Sequence, residues 1–141
     1  MSRAVIAEAN PARCEELRGR LGDAGLEVVA VATSAVEAVG QVLELAPDVA
    51  ILAAGLAAAN RFSALDVIRS ASPGTAVVLM GAAEEPGHLL DALAHGASCC
   101  LGHDASLESL ALAATAAAQG YSLADRATLQ RAVSEAAPGL A

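Results

Sequence analysis

The sequence predicts an α/β fold in which one doubly wound parallel sheet carries helices on both faces. Three observations predict it. Short apolar runs alternate with longer segments of helical periodicity; the runs are continuously apolar instead of alternating with polar residues; and turn formers separate most of them. Strands buried on both faces read in this way, and helices must then cover the two faces.

Ala4-Val5-Ile6-Ala7 is the first strand, and it ends at Glu8-Ala9-Asn10-Pro11, where Asn10 suits a helix N-cap and Pro11 the first helical turn. Cys14, Leu17 and Leu21 then recur at helical spacing, and Gly25 supplies a C-terminal stop. Glu27 to Ala32 is a β-branched strand. Thr33 or Ser34 caps a helix for which Val36, Val39, Gly40 and Leu43 are expected to form the inner face, and Pro47 closes it.

The central strand runs from Val49 to Ala53. A loop from Ala54 to Asn60 follows, then a helix from about Arg61 with Phe62, Leu65, Ile68 and Val67 as its apolar positions. Ser72-Pro73-Gly74 is a turn, and Thr75 to Met80 is the fourth strand. Gly81 to Pro86 leads into a helix with Leu89, Leu90 and Leu93 inward. Ser98 to Leu101 is a brief fifth strand, and Leu107, Leu110, Ala111 and Ala114 mark the inner face of the helix after it. Beyond Gly120 an additional amphipathic helix is expected over about Leu123 to Ala136. The division expected is one domain over residues 1–120 and a helix or linker over 121–141.

The chain has 141 residues, 55% of them hydrophobic and 17% charged, the size of one domain with a sizeable core. Eight basic residues against sixteen acidic ones give a formal charge of -8, which repels nucleic-acid backbones and anionic membranes alike. All eight basic residues are arginine, so no lysine is available to any mechanism. Three cysteines in irregular spacing, Cys14, Cys99 and Cys100, form neither a disulfide framework nor a zinc motif. No signal-peptide core or membrane-spanning run is present, and a reducing cytoplasm is the expected compartment.

In open α/β sheets chemistry lies just outside the carboxyl ends of the strands. The central strand ends there at Ala53, whose methyl group is not a nucleophile. Asp48 lies five residues earlier, roughly 16 Å away along an extended strand, at the opposite end of the sheet.

Glu8-Ala9-Asn10-Pro11, Pro47-Asp48-Val49-Ala50-Ile51-Leu52 and Gly96-Ala97-Ser98 together resemble the receiver domain of bacterial response regulators. The resemblance spans about residues 3 to 120 and is closest to receivers that precede helix-turn-helix output domains. It implies a flavodoxin-like sheet of five strands in the order 2-1-3-4-5. It also implies phosphoryl transfer from a histidine kinase to an aspartate, with magnesium held by carboxylates and the phosphoryl group read by a hydroxyl residue and a lysine.

At the matching positions Ala53 replaces the aspartate, Glu8 keeps one acidic residue while Ala9 removes the other, and Gly81 replaces the hydroxyl. His103 falls at the lysine, and Cys100 at the aromatic residue of the switch. A degenerate phosphorylation pocket of Glu8, Ala9, Ala53, Gly81, Cys100 and His103 is therefore expected, with no metal or other cofactor and no enzymatic activity.

Cys99 and Cys100, adjacent on a strand, point to opposite faces and read as buried structural thiols. His88, Asp91, His95 and Glu108 mark a candidate interface on the side that the resemblance associates with dimerisation or output. The expected role is a phosphorylation-independent regulatory domain that binds a protein partner or a second copy of itself, with any DNA contact left to an output domain outside these residues. The alternative is a small-ligand sensor that uses the vacated pocket.

Overall fold

Asn10 starts the first helix by accepting hydrogen bonds from the backbone N–H groups of Ala12 and Arg13 through its side chain, with Pro11 at the first helical position. This local event turns strand β1 (Ser2–Ala7) into helix α1 (Pro11–Asp23), whose Cys14, Leu17 and Leu21 are buried as the spacing predicts. Gly25, at φ +91°, supplies the left-handed residue that leads into β2 (Leu26–Ala32). The Ser34 side chain accepts from the N–H of Glu37 and opens α2 (Ala35–Leu45).

The computed structural model describes residues 1–57, 63–81, 92, 94–102, 105–121 and 123–124. After α2 come β3 (Val49–Ala53), a single helical turn α3 (Ala54–Ala57), α4 (Ser63–Ala71) and β4 (Ala76–Met80). Then follow β5 (Cys99–Leu101), α5 (Leu107–Ala118), capped by the Ser106 side chain on the N–H of Ser109, and β6 (Leu123–Ala124).

The sheet is parallel throughout, in the order β2-β1-β3-β4-β5-β6. Its first five strands have the predicted 2-1-3-4-5 arrangement. Side chains alternate between two apolar layers. Val5, Ala50, Leu52, Leu79 and Cys100 face α2 and α4 and meet Val42, Leu65 and Ile68, while Ile6, Val49, Ile51, Val78 and Cys99 face α1 and α5 and meet Leu17, Leu21 and Leu110. Both faces are buried, which is why the strands read as continuous apolar runs. The adjacent thiols Cys99 and Cys100 accordingly lie in different layers, both fully buried.

Four expectations are corrected. The inner face of α2 is formed by Ala38 and Val42, whereas Val36 is 85% and Leu43 46% exposed. The helix is apolar on two sides, so its periodicity does not select a face; small Ala38 permits close approach to the sheet. Val67, placed among the apolar positions of α4, is 42% exposed. Ala54 to Ala57 form a single helical turn instead of entering a loop, with Ala54 and Ala57 buried beneath it.

The fourth correction concerns the tail. In place of the start of a helix, Leu123 and Ala124 pair in parallel with Cys99 and Cys100. An edge strand presents unpaired N–H and C=O groups, and the chain leaving α5 beside β5 satisfies some of them. The remainder of that expected helix, together with Arg61, Phe62, Leu89, Leu90 and Leu93, lies outside the described residues.

Candidate functional site

A cleft of about 360 Å³ opens at the carboxyl ends of β1, β3 and β4. Ala53 and Met80, the paired last residues of β3 and β4, lie in its wall beside Ala54. The connections contribute Glu8, Gly81, Gly102 and Ala105, and the helices contribute Arg13 from α1 and Leu110 from α5.

Glu8 is fixed by its backbone. Its N–H donates to the carbonyl of Ala32 at 2.9 Å, and its own carbonyl accepts from the Cys14 thiol, with Sγ 3.3 Å away. The N–H of Asn10 donates to Glu8 Oε1 at 3.3 Å. Burial, followed by the negative charges of Glu8 and Glu15, raises the Cys14 thiol pKa from its ordinary value of 9.0, against a lowering influence from Arg18. The thiol is 5% exposed as a residue and stands under the site as a protonated donor.

Gly81 has φ +80° and donates its N–H to the carbonyl of Leu101 at 3.0 Å. A Cβ built there meets nothing within 4 Å, so the backbone conformation and not space favours glycine. The position just after β4 thus offers the cleft no side chain.

Glu8, Ala53 and Gly81 line the cleft together. Ala9 is exposed and is not part of the lining, and Cys100 lies within the α2/α4 layer, directed away from it. His103 lies outside the described residues. Sequence reasoning missed Arg13. Side chains of a helix lean toward its N-terminus, so an arginine in the first turn of α1, three residues after the Asn10 cap, reaches toward the strand ends.

The residues named for a candidate interface separate. His95 Nδ1 lies 2.6 Å from Asp66 Oδ1 on α4, while Glu108 on α5 faces Arg20 on α1 at 3.6 Å in an exposed pair. His88 and Asp91 are outside the described residues. Leu112, on the outer side of α5, is 71% exposed, and Tyr121 just beyond it 62%. Among the described residues no group of three or more His, Cys, Asp or Glu is arranged to hold a metal ion, and no helix is long and apolar enough to cross a membrane.

No curated protein matches the chain at a significant level. Solved structures do. The signal receiver domain of the response regulator NarL from Mycobacterium tuberculosis is 27% identical, with a TM-score of 0.76 over 84% of this chain and 97% of that one. A LuxR-family two-component response regulator from Aurantimonas sp. SI85-9A1 is 22% identical, with a TM-score of 0.84 over 96% of this chain and 98% of that one. The RcsB response regulator of Salmonella typhimurium is 15% identical, with a TM-score of 0.82 over 98% of this chain and 68% of that one. The last two likenesses show the fold alone. The family described as response regulator receiver domain matches residues 4–115, most of the chain, and this protein belongs to it.

Proposed function

We propose that this receiver domain regulates without being phosphorylated, by presenting a surface to a protein partner or to a second copy of itself in bacterial signal transduction or transcription control. One observation carries the reading: Ala53 ends the central strand in the wall of the cleft where the chemistry of an open α/β sheet takes place. A methyl group cannot form an acyl phosphate.

The other parts of the cleft support the same reading. Magnesium needs near-octahedral oxygen coordination drawn from carboxylates and phosphate, and Glu8 is the one carboxylate among the described lining residues. This donor set does not fit the ion. Gly81 supplies no hydroxyl that could follow a phosphoryl group. With a net charge of -8, the chain is suited to protein partners and not to direct contact with nucleic acid. A cytoplasmic location fits three buried cysteines that form no disulfide framework.

The test is intact-mass spectrometry after incubation with acetyl phosphate and magnesium. The mass is expected to stay unchanged, and addition of one phosphoryl group at any cleft residue overturns the reading.

A second reading, a small-ligand sensor, is favoured by the cleft itself, whose volume of about 360 Å³ is met only by a methyl group at Ala53 and by no side chain at Gly81. A metabolite that binds the folded state raises the melting temperature. Thermal-shift measurements across metabolites and nucleotides test it, and the absence of any reproducible rise counts against it.

A further inference from the structure

The cleft holds two opposite charges that do not pair with each other. Glu8 and Arg13 both line it, and both are half-buried. The ion pairs found among the described residues are Arg20 with Glu108 and His95 with Asp66. Among the described residues the Glu8 carboxylate receives only the N–H of Asn10, at 3.3 Å, and the Arg13 guanidinium has no hydrogen-bond partner.

The rest of the lining mixes apolar side chains with the glycines Gly55, Gly81 and Gly102, so polar and apolar surface contribute about equally. Ala54, Met80 and Leu110 are 8%, 7% and 2% exposed, so little of each remains open to solvent. The volume of about 360 Å³ is near the lower end of small-molecule sites, roughly 300–1,000 Å³. It suits a single small metabolite and not a dinucleotide.

We propose that the cleft binds a small zwitterion, an α-amino acid with a short apolar side chain. This rests on the ligand-sensing reading and names its ligand class. The carboxylate of the ligand takes the fork of N–H donors on Arg13, a geometry that arginine offers to carboxylates. Its ammonium group donates to Glu8, and a short apolar side chain lies against Ala53 and the small open part of Met80. A ligand with the carboxylate alone leaves Glu8 partly desolvated and unpaired, and one with the amine alone does the same to Arg13. Unpaired buried charge is costly, so each fragment binds more weakly than the zwitterion. Polyphosphates are disfavoured because they bring excess negative charge against Glu8.

Calorimetric titration of the full chain with L-leucine, 4-methylpentanoate and isopentylamine tests the proposal. Leucine is expected to bind saturably, and each single-charge fragment roughly tenfold or more weakly. Arg13→Gln is expected to weaken leucine binding by about the same factor while leaving the thermal unfolding of the free protein unchanged. Equal binding of a fragment, or undiminished binding to Arg13→Gln, overturns the proposal.

Failure of leucine, valine and alanine to bind also overturns it. A parallel thermal-shift panel separates that result from failure of the broader reading. A hit from another metabolite class overturns the zwitterion and keeps the sensor, whereas no hit of any class overturns both.

Discussion

Arg3 and Asp48 exchange two hydrogen bonds: the N–H of Arg3 donates to Asp48 Oδ2 at 2.8 Å, and the N–H of Asp48 donates to the carbonyl of Arg3 at 2.9 Å. The carbonyl of Asp48 also accepts from the N–H of Ala76 at 3.0 Å, and the Arg3 guanidinium donates to the carbonyl of Leu45 at 2.7 Å. Asp48 thus ties β1, β3 and β4 together at their amino ends. Replacement by alanine removes the side-chain acceptor and is expected to cost about 1 kcal/mol. Urea titration should show a lower midpoint with an unchanged slope. Asp48→Asn keeps an acceptor and should lose less.

Thr75 closes a buried network at the same end of the sheet. Its hydroxyl donates to the carbonyl of Pro47 at 2.6 Å, so the 2.8 Å contact with Ser72 Oγ is a bond donated by the serine. The two residues are 7% and 9% exposed. Thr75→Val keeps the shape but leaves the Pro47 carbonyl and the Ser72 hydroxyl short of a partner, with an expected loss of about 1–3 kcal/mol. Chemical denaturation measures it. The double variant Thr75→Val with Ser72→Ala should lose less than the sum of the two single losses, because the two hydroxyls share one network.

Gly96 has φ +96°, and a Cβ placed on it would stand 2.5 Å from Cδ of Arg69. Two penalties therefore meet at Gly96→Ala, left-handed backbone strain of about 1–2 kcal/mol and a steric overlap with Arg69. Shortening Arg69 to alanine is expected to relieve the overlap and leave the strain. A thermodynamic cycle of the two substitutions should give a favourable coupling between them, and strict additivity would mean that Arg69 does not rest on this turn.

Cys14 makes stability depend on alkaline pH. Its pKa is raised in the folded state, first by burial and then by Glu8 and Glu15. The folded protein thus holds the thiol proton more tightly than the unfolded chain does. The associated stabilisation is fully present below the unfolded pKa of the thiol and is lost as pH rises through the folded one. Stability should fall over the interval that begins near pH 9.0, the ordinary thiol value, and runs upward. Cys14→Ser, which keeps a donor for the carbonyl of Glu8, should show a shallower fall over that interval.

The strands, the Asn10 cap and the buried side of α1 were legible because each depends on residues close together in sequence. Cys14, Leu17 and Leu21 recur at helical spacing, and only one side of α1 is apolar, so local pattern and tertiary burial agree. In α2 they diverge. Ala38 and Val42 compete with Val36 and Leu43, and packing against the sheet selected the row with the small Ala38, with Val39 at its border packed against the core.

The site was legible in the same uneven way. Glu8, Ala53 and Gly81 follow directly from the ends of three strands, whereas Arg13 arrives from a helix whose orientation local pattern does not state. Cys100 illustrates the reverse error. Its chain position lies close to the cleft, but strand alternation directs its side chain into the opposite layer.

By itself, the amino-acid sequence determined the class of fold and the chemistry available at the strand ends, because apolar runs, caps and the identity of Ala53 are properties of the chain alone. Tertiary structure decided which side chains share a space. It joined Arg13 and Glu8 in one cleft, removed Cys100 from it and gave Leu123 and Ala124 to the edge of the sheet. The physical reason is that side-chain direction and unpaired edge hydrogen bonds acquire their partners only when elements distant in sequence pack together.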